Sequence, residues 1–266
     1  MYLEYWGFNK FPFENVSDPD FFYLSKTHEE GLTRLIYAAE RRKGGAMLTG
    51  EIGCGKTTLS RICINELAED KYEIGLIINP KLEPEDFLQE ILYQFGIPHI
   101  PNKKIDCLRV LNDKMIENMK VNKETLLIID EAQLLNEPLF EEIRLLLNFQ
   151  LNNRFLMTII LLGQPELRDK VKNLEQLNQR IAIKYHLRPF DLEETLAYIN
   201  FRLQRAGKMD NLFSQAAVEK IFEHTGGVPR KINNLCDLSL LIGFSFQKEV
   251  IDPEIVENII NDGSLF

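Results

Sequence analysis

Cysteine is scarce in this chain: four residues in 266, at positions 54, 63, 107 and 236, separated by 9, 44 and 129. That spacing builds neither a CxxC metal clamp nor a dense disulfide framework, so the thiols read as reduced. With 15 glycines and 11 prolines, collagen-like and low-complexity chains are excluded. No uncharged stretch approaches the ~20 residues that a membrane-spanning helix needs. The N-terminus, MYLEYWGFNKFPF, has Glu4 early and no basic region ahead of an apolar one. No secretion signal is read there, and the cytosol is the expected location. Positive charge is not in excess either. The net charge is -9 and acids outnumber bases on both sides of residue 190, which argues against nucleic-acid binding by bulk electrostatics and leaves only a local basic patch open.

What is present is ordinary globular material, 45% hydrophobic and 27% charged, enough to bury a core. From about residue 46 to 188, apolar runs rich in branched residues alternate with helical patterns: AMLTG, TTLSRICINELA, EIGLIIN, PEDFLQEILYQF, TLLIID, PLFEEIRLLLNFQ, FLMTIILLG and AIKYHL. The alternation predicts an α/β fold, a parallel sheet covered by helices. Residues 105, 108, 111, 115 and 119 add the stepping of an amphipathic helix. After Arg188-Pro189-Phe190 the β-rich runs stop. Leu192, Leu196, Ile199 and Leu203 then recur at helical steps, with Asp191 and Glu194 placed for a capping-box start and Gly207 near the end. Further helices are expected over 214–224, 229–243 and 253–261, giving an α/β domain over 1–190 and a small all-helical domain over 191–266.

Gly50-Glu51-Ile52-Gly53-Cys54-Gly55-Lys56-Thr57 fits G-x-x-x-x-G-K-[ST], after an apolar strand and before a helical pattern. In such a loop the backbone of Gly50, Gly53, Cys54 and Gly55, continuing through Thr58, turns its N–H groups toward phosphate oxygens, and the next helix adds its positive end. Lys56 is expected to reach the β and γ phosphates and Thr57 to ligate Mg²⁺. Downstream, Leu126-Leu127-Ile128-Ile129 is a buried strand ending in Asp130 and Glu131. Asp130 is placed to hold the magnesium, and Glu131 to polarise a water for attack on the γ phosphate. Together the two motifs point to nucleoside triphosphate hydrolysis.

With these residues in place and a helical domain following the sheet, the chain resembles the AAA+ ATPases, a P-loop NTPase family. The segments YWGFNKFPFENVSDPDFFYLS, GEIGCGKTT, LLIIDEAQLL, LLGQPEL, LNQRIAIKYHLRPF and GGVPRKINNLCD are similar to the general secretion pathway type, also called the ExeA or GspA type. The resemblance implies further roles. Gln164 matches the sensor 1 position, Arg180 the arginine finger that reaches a neighbouring subunit, and Arg230 sensor 2 at the start of a lid helix, beside the γ phosphate. Tyr23 and Leu24 lie where the family grips adenine, and Asn79 matches an asparagine that holds the catalytic glutamate inactive in some members. Each has a plainer reading: a solvated helix-end charge for Arg180, a cap or acid partner for Arg230, a turn for Gln164, an Asn-Pro turn for Asn79, and core packing for the N-terminal aromatics.

The function implied is an Mg-ATP-dependent, oligomeric ATPase with Arg180 acting in trans, serving a secretion or envelope-assembly partner. The alternative is a transposition-type regulator that assembles on DNA, for which Arg41-Arg42-Lys43 and Lys103-Lys104 are the short basic clusters to consider. A P-loop phosphotransferase is disfavoured, because no acceptor site is evident. Members of the secretion type commonly continue into a membrane span and a periplasmic part. This sequence, which stops at Phe266, therefore reads either as their cytosolic ATPase region or as a stand-alone relative.

Overall fold

The computed structural model describes residues 2–16, 18–151, 154–208 and 211–263. Packing divides the chain into two units, one made of residues 27–50 and 59–187 and the other of 1–26, 51–58 and 188–266.

The first unit is built on five parallel strands, β1 (Gly45–Gly50), β2 (Tyr72–Ile77), β3 (Glu124–Ile129), β6 (Met157–Gly163) and β7 (Ile181–Leu187), in the order β2-β3-β6-β1-β7. A two-residue antiparallel hairpin, β4 (Gln150–Leu151) with β5 (Arg154–Phe155), lies apart from it. β1 and β6 are buried along their whole length, whereas the edge strands β2 and β7 are partly exposed. That gradient is why the central strands read as unbroken apolar runs: a parallel strand covered on both faces has no polar side to show. Alternate residues Met47, Leu127, Ile129, Ile159 and Leu161 share one core. The same core takes apolar side chains from α4 (Pro84–Gln94), α5 (Lys104–Lys120), α6 (Glu137–Leu146), α7 (Pro165–Asn173) and α8 (Glu175–Arg180). The residues between them, Leu48, Leu126, Ile128 and Leu162, point the other way and are equally buried. Two helices, α2 (Lys26–Glu40) and α3 (Lys56–Glu66), bury Leu35, Ala38, Leu59 and Cys63, and Gly31 of α2 lies against Leu59 and Tyr185. The expected α/β architecture, a P-loop-type parallel sheet flanked by helices, is therefore present.

The second unit has one core of aromatic and aliphatic side chains. α1 (Tyr2–Trp6) packs with α9 (Leu192–Arg205), α10 (Gln215–Thr225), α11 (Pro229–Ser245) and α12 (Pro253–Asn261). Tyr2, Trp6, Phe8, Phe13 and Phe21 join Phe190, Tyr198 and the aliphatic faces of those helices. These five N-terminal aromatics are thus core residues, whereas Tyr5 and Phe11 are exposed. The indole N–H of Trp6 donates to the Leu240 carbonyl at 3.0 Å, and the Tyr2 hydroxyl to Asp237 at 2.5 Å. Arg202, buried, donates to the carbonyls of Pro12 (2.5 Å), Glu14 (2.7 Å) and Phe21 (3.2 Å) and stacks over the Phe21 ring. The capping box expected at Asp191 and Glu194 forms, and Ser214 and Asp252 cap α10 and α12. No helix among the described residues is long and apolar enough to cross a membrane.

Candidate functional site

Gly50 ends β1, and the chain then turns through residues 51–55 into α3, whose first residues are Lys56, Thr57 and Thr58. Gly53 and Gly55 both have left-handed backbones, at φ +86° and +89°, a region that costs other residues about 1 kcal/mol or more. The Lys56 ammonium is buried and donates to the Glu51 carbonyl at 2.9 Å, as does the Cys54 N–H at 3.2 Å. The lysine therefore closes over its own loop with a backbone partner. Cys54 is buried, and burial pushes its thiol up to about 11 against the opposing pull of Lys56. It is a neutral packing residue at physiological pH.

Arg230, exposed at the start of α11, belongs to the same unit as this loop. Its N–H faces the Gly53 carbonyl at 3.4 Å, and a Cβ added to Gly53 would stand 2.7 Å from Arg230 Cβ and 3.3 Å from Val228. The loop backbone at position 53 thus lies so close to Val228 and Arg230 that it leaves no room for a side chain. The loop's groups are hard donors: N–H, ammonium and hydroxyl, with a guanidinium at the rim. The N–H and cationic groups of such a set fit a polyphosphate, and the Thr57 hydroxyl oxygen is the group suited to its magnesium.

In the sheet unit, β3 runs into Asp130, whose N–H donates to the Ile77 carbonyl at 2.8 Å. Asp130 is buried, and its carboxylate accepts the Glu131 N–H at 2.8 Å. Glu131 itself has a left-handed backbone, φ 50° and ψ 34°, and opens a short turn over Ala132–Leu134. For a residue with a side chain this conformation stores of the order of 1 kcal/mol or more. Gln164 follows β6 at the start of α7 without capping it by its side chain. The adjacent pairing of β3 and β6, with Ile129 opposite Leu161, brings their C-terminal ends together.

Gln133 joins them. Its amide donates to the Glu131 carboxylate at 2.5 Å and accepts the Gln164 N–H at 3.0 Å. The sequence reading passed over this residue, although it stands two places after Glu131 in the same run. Asn79 does not reach Glu131: it is exposed, and its side chain accepts the Lys81 N–H at 3.4 Å. The Asn-Pro turn is the reading the structure supports, because β2 has already ended at Ile77. Arg180 is the last residue of α8, half-buried, and its side chain makes no hydrogen bond or ion pair among the described residues. The Tyr23 ring packs against Phe190, Phe201 and Tyr198 at 5.7, 5.6 and 6.0 Å, and burial raises its hydroxyl pKa. Leu24 beside it is exposed. The basic clusters are partly neutralised: Arg42 pairs with Glu124, Lys43 lies over the Tyr37 ring, and Lys104 pairs with Glu142.

A family model described as an AAA domain matches residues 39–171. The chain is 36% identical over 248 residues to general secretion pathway protein A of Aeromonas hydrophila, an alignment covering 92% of this chain and 45% of that protein. It thus spans less than half the length of this relative. Among solved structures it resembles the Aeropyrum pernix ORC2 protein in its ADPNP-ADP complexes, with a TM-score of 0.69, 16% identity, and coverage of 95% of this chain and 71% of that one. It also resembles Drosophila ORC bound to DNA, with a TM-score of 0.70, 15% identity, and coverage of 93% and 63%. At such identities the likeness is one of fold. The family model, the glycine-lysine loop after β1 and the acidic pair after β3 lead to one conclusion: the chain belongs to the AAA domain family.

Proposed function

We propose that the chain hydrolyses ATP to ADP and phosphate as an oligomer, and that this turnover drives assembly or remodelling in secretion or in building the cell envelope. The observation that carries the reading is the glycine cradle closed by Lys56 with Arg230 at its rim. In this reading the N–H groups of Gly50–Thr58 and the α3 N-terminus bind the α and β phosphates, and Lys56 neutralises the β and γ oxygens. The Thr57 hydroxyl and the Asp130 carboxylate are the groups that would hold magnesium, which would supply charge neutralisation at the transferred phosphoryl group. Glu131 polarises the attacking water, and Gln164 helps to orient it. Arg230 neutralises the γ phosphate from within the chain, while Arg180 serves the active site of a neighbouring copy. Residues 191–266 then act as the lid, and backbone near Tyr23 and Leu24 reads adenine.

The secretion role rests on the 36% identity to general secretion pathway protein A, and a cytoplasmic setting belongs to the same reading. Assembly on DNA has less support, since Arg42 and Lys104 are already paired with acids.

The test is ATPase rate per chain against protein concentration, with Glu131→Gln and Arg180→Ala measured alone and mixed, and with duplex DNA added in a parallel series. The expected result is a rate per chain that climbs with concentration, two inactive variants, and activity regained on mixing. Regain occurs because an intact Glu131 in one copy meets an intact Arg180 in another. Failure of the mixture, with both variants folded and able to associate, would overturn catalysis in trans. Stimulation by DNA would favour the regulator.

A further inference from the structure

The Glu131 carboxylate is tied to the end of the neighbouring strand through one buried amide. Gln133 Nε2 donates to Glu131 Oε2 at 2.5 Å, and Gln133 Oε1 accepts the Gln164 N–H at 3.0 Å. The orientation of this amide follows from its partners: a backbone N–H only donates and an ionised carboxylate only accepts, so oxygen must face Gln164 and nitrogen must face Glu131. The Gln133 main chain is anchored as well. Lys170 donates from its ammonium to the carbonyls of Gln133 (2.6 Å) and Leu135 (3.1 Å). Room for the amide is made by Gly163, where a Cβ would stand 2.8 Å from Gln133 Oε1 and 2.8 Å from Leu167. The side chain is thus placed by the Gln164 N–H and by the missing Cβ at Gly163, and its backbone by a lysine from α7.

We propose that Gln133 is a positioning residue for hydrolysis, which fixes the direction of the Glu131 carboxylate and couples it to the end of β6 at Gln164. This rests on the reading of Glu131 as the group that polarises water. The buried amide is planar and held at both ends, so a displacement of the Gln164 N–H carries the Nε2 group and with it the carboxylate. A general base must lie within hydrogen-bond reach of its water, and misplacement by about 1 Å lowers rate by one to two orders of magnitude. Gln133 therefore acts on turnover and leaves nucleotide affinity alone.

The test compares Gln133→Ala, Gln133→Glu and Glu131→Gln in the whole chain, measuring kcat and KM for Mg-ATP from pH 5.5 to 8.5, affinity for a fluorescent ATP analogue, and thermal unfolding. Gln133→Ala is expected to lower kcat about tenfold with KM within about twofold. Gln133→Glu keeps an acceptor for the Gln164 N–H, and its new carboxyl donates to Glu131 only when protonated. Its kcat relative to the parent is expected to rise as pH falls from 8.5 to 5.5, a signature that a purely structural role does not produce. Should Gln133→Ala fail to fold, this isosteric variant carries the test. Parental kcat and pH profile in the folded variants, with Glu131→Gln inactive, would overturn the role of Gln133 and leave that of Glu131 standing. Full turnover by Glu131→Gln would overturn both.

Discussion

Arg230 stands directly over Gly53, close enough that a Cβ on the glycine would be 2.7 Å from the arginine's own Cβ. Two helices begin at this loop: α3 at Lys56, and α11 at Pro229, whose missing N–H suits the first helical turn. Helix N-termini carry partial positive charge, and the Arg230 N–H in the first turn of α11 faces the Gly53 carbonyl.

The first prediction is that Gly53→Ala and Arg230→Ala separate cradle from charge. Alanine at 53 must adopt φ near +86° and displace Arg230, so affinity for both ATP and ADP is expected to fall about tenfold or more, a cost of about 1.4 kcal/mol. Arg230→Ala leaves the cradle intact and removes a charge proposed to face the γ phosphate. It is expected to bring the affinities for ATP and ADP toward equality. Competition against a fluorescent nucleotide measures both, and an unchanged ATP-to-ADP ratio in Arg230→Ala would count against the γ-phosphate role.

Much of this was legible in the sequence because the signals were local. Buried parallel strands are continuous apolar runs, the phosphate loop is contiguous, and the Asp191–Glu194 box lies within one turn. What escaped depended on distant partners or weak periodicity. α8 buries only Leu177 of its six residues, too little to mark a helix. The run PLFEEIRLLLNFQ continues apolar past the helix end at Leu146 and into the hairpin strand β4, which hid the boundary. α2 lay between motifs and was not assigned. Gln133 acquires its meaning only when β3 and β6 become neighbours, a pairing that a linear pattern does not record. The partners of the basic clusters were hidden in the same way, since Glu124 and Glu142, which pair with Arg42 and Lys104, are remote in sequence.

The second prediction concerns Arg202. Its guanidinium is buried and is satisfied by the carbonyls of Pro12, Glu14 and Phe21, with the Phe21 ring beneath it. Burial lowers its pKa, and the three carbonyls are what keep the charge tolerable. Arg202→Met retains the stem and leaves those carbonyls without their donor. It is expected to cost about 3 kcal/mol of stability, the range for losing one partner of a buried polar network. Urea unfolding reads the loss. Exchange of the Phe13, Glu14 and Phe21 backbone amides is expected to accelerate first, because Arg202 holds the carbonyls of Pro12, Glu14 and Phe21 to α9. A loss under about 1 kcal/mol would show that the carbonyls find water instead.

The third prediction follows from the buried thiols. Burial pushes Cys63 up to about 12 and Cys54 up to about 11 from an ordinary value near 9, and it raises Cys236 as well. The unfolded chain loses these protons near pH 9, while the folded chain holds those of Cys54 and Cys63 until about 11 and about 12 and that of Cys236 well above 9. Folding stability contributed by the protonated thiols is therefore complete below pH 9 and declines as pH rises toward 12. Tyr2, Tyr72 and Tyr198, also raised chiefly by burial, act in the same direction from about pH 10. Cys63→Ala isolates one contribution. It is expected to be less stable than the parent by about 1 kcal/mol at pH 7 from the small cavity, and to lose less stability than the parent between pH 8.5 and 10.5. The two stability curves should then converge or cross in the alkaline range. Parallel curves from urea midpoints at each pH would mean that the Cys63 thiol ionises in the fold as readily as in the unfolded chain.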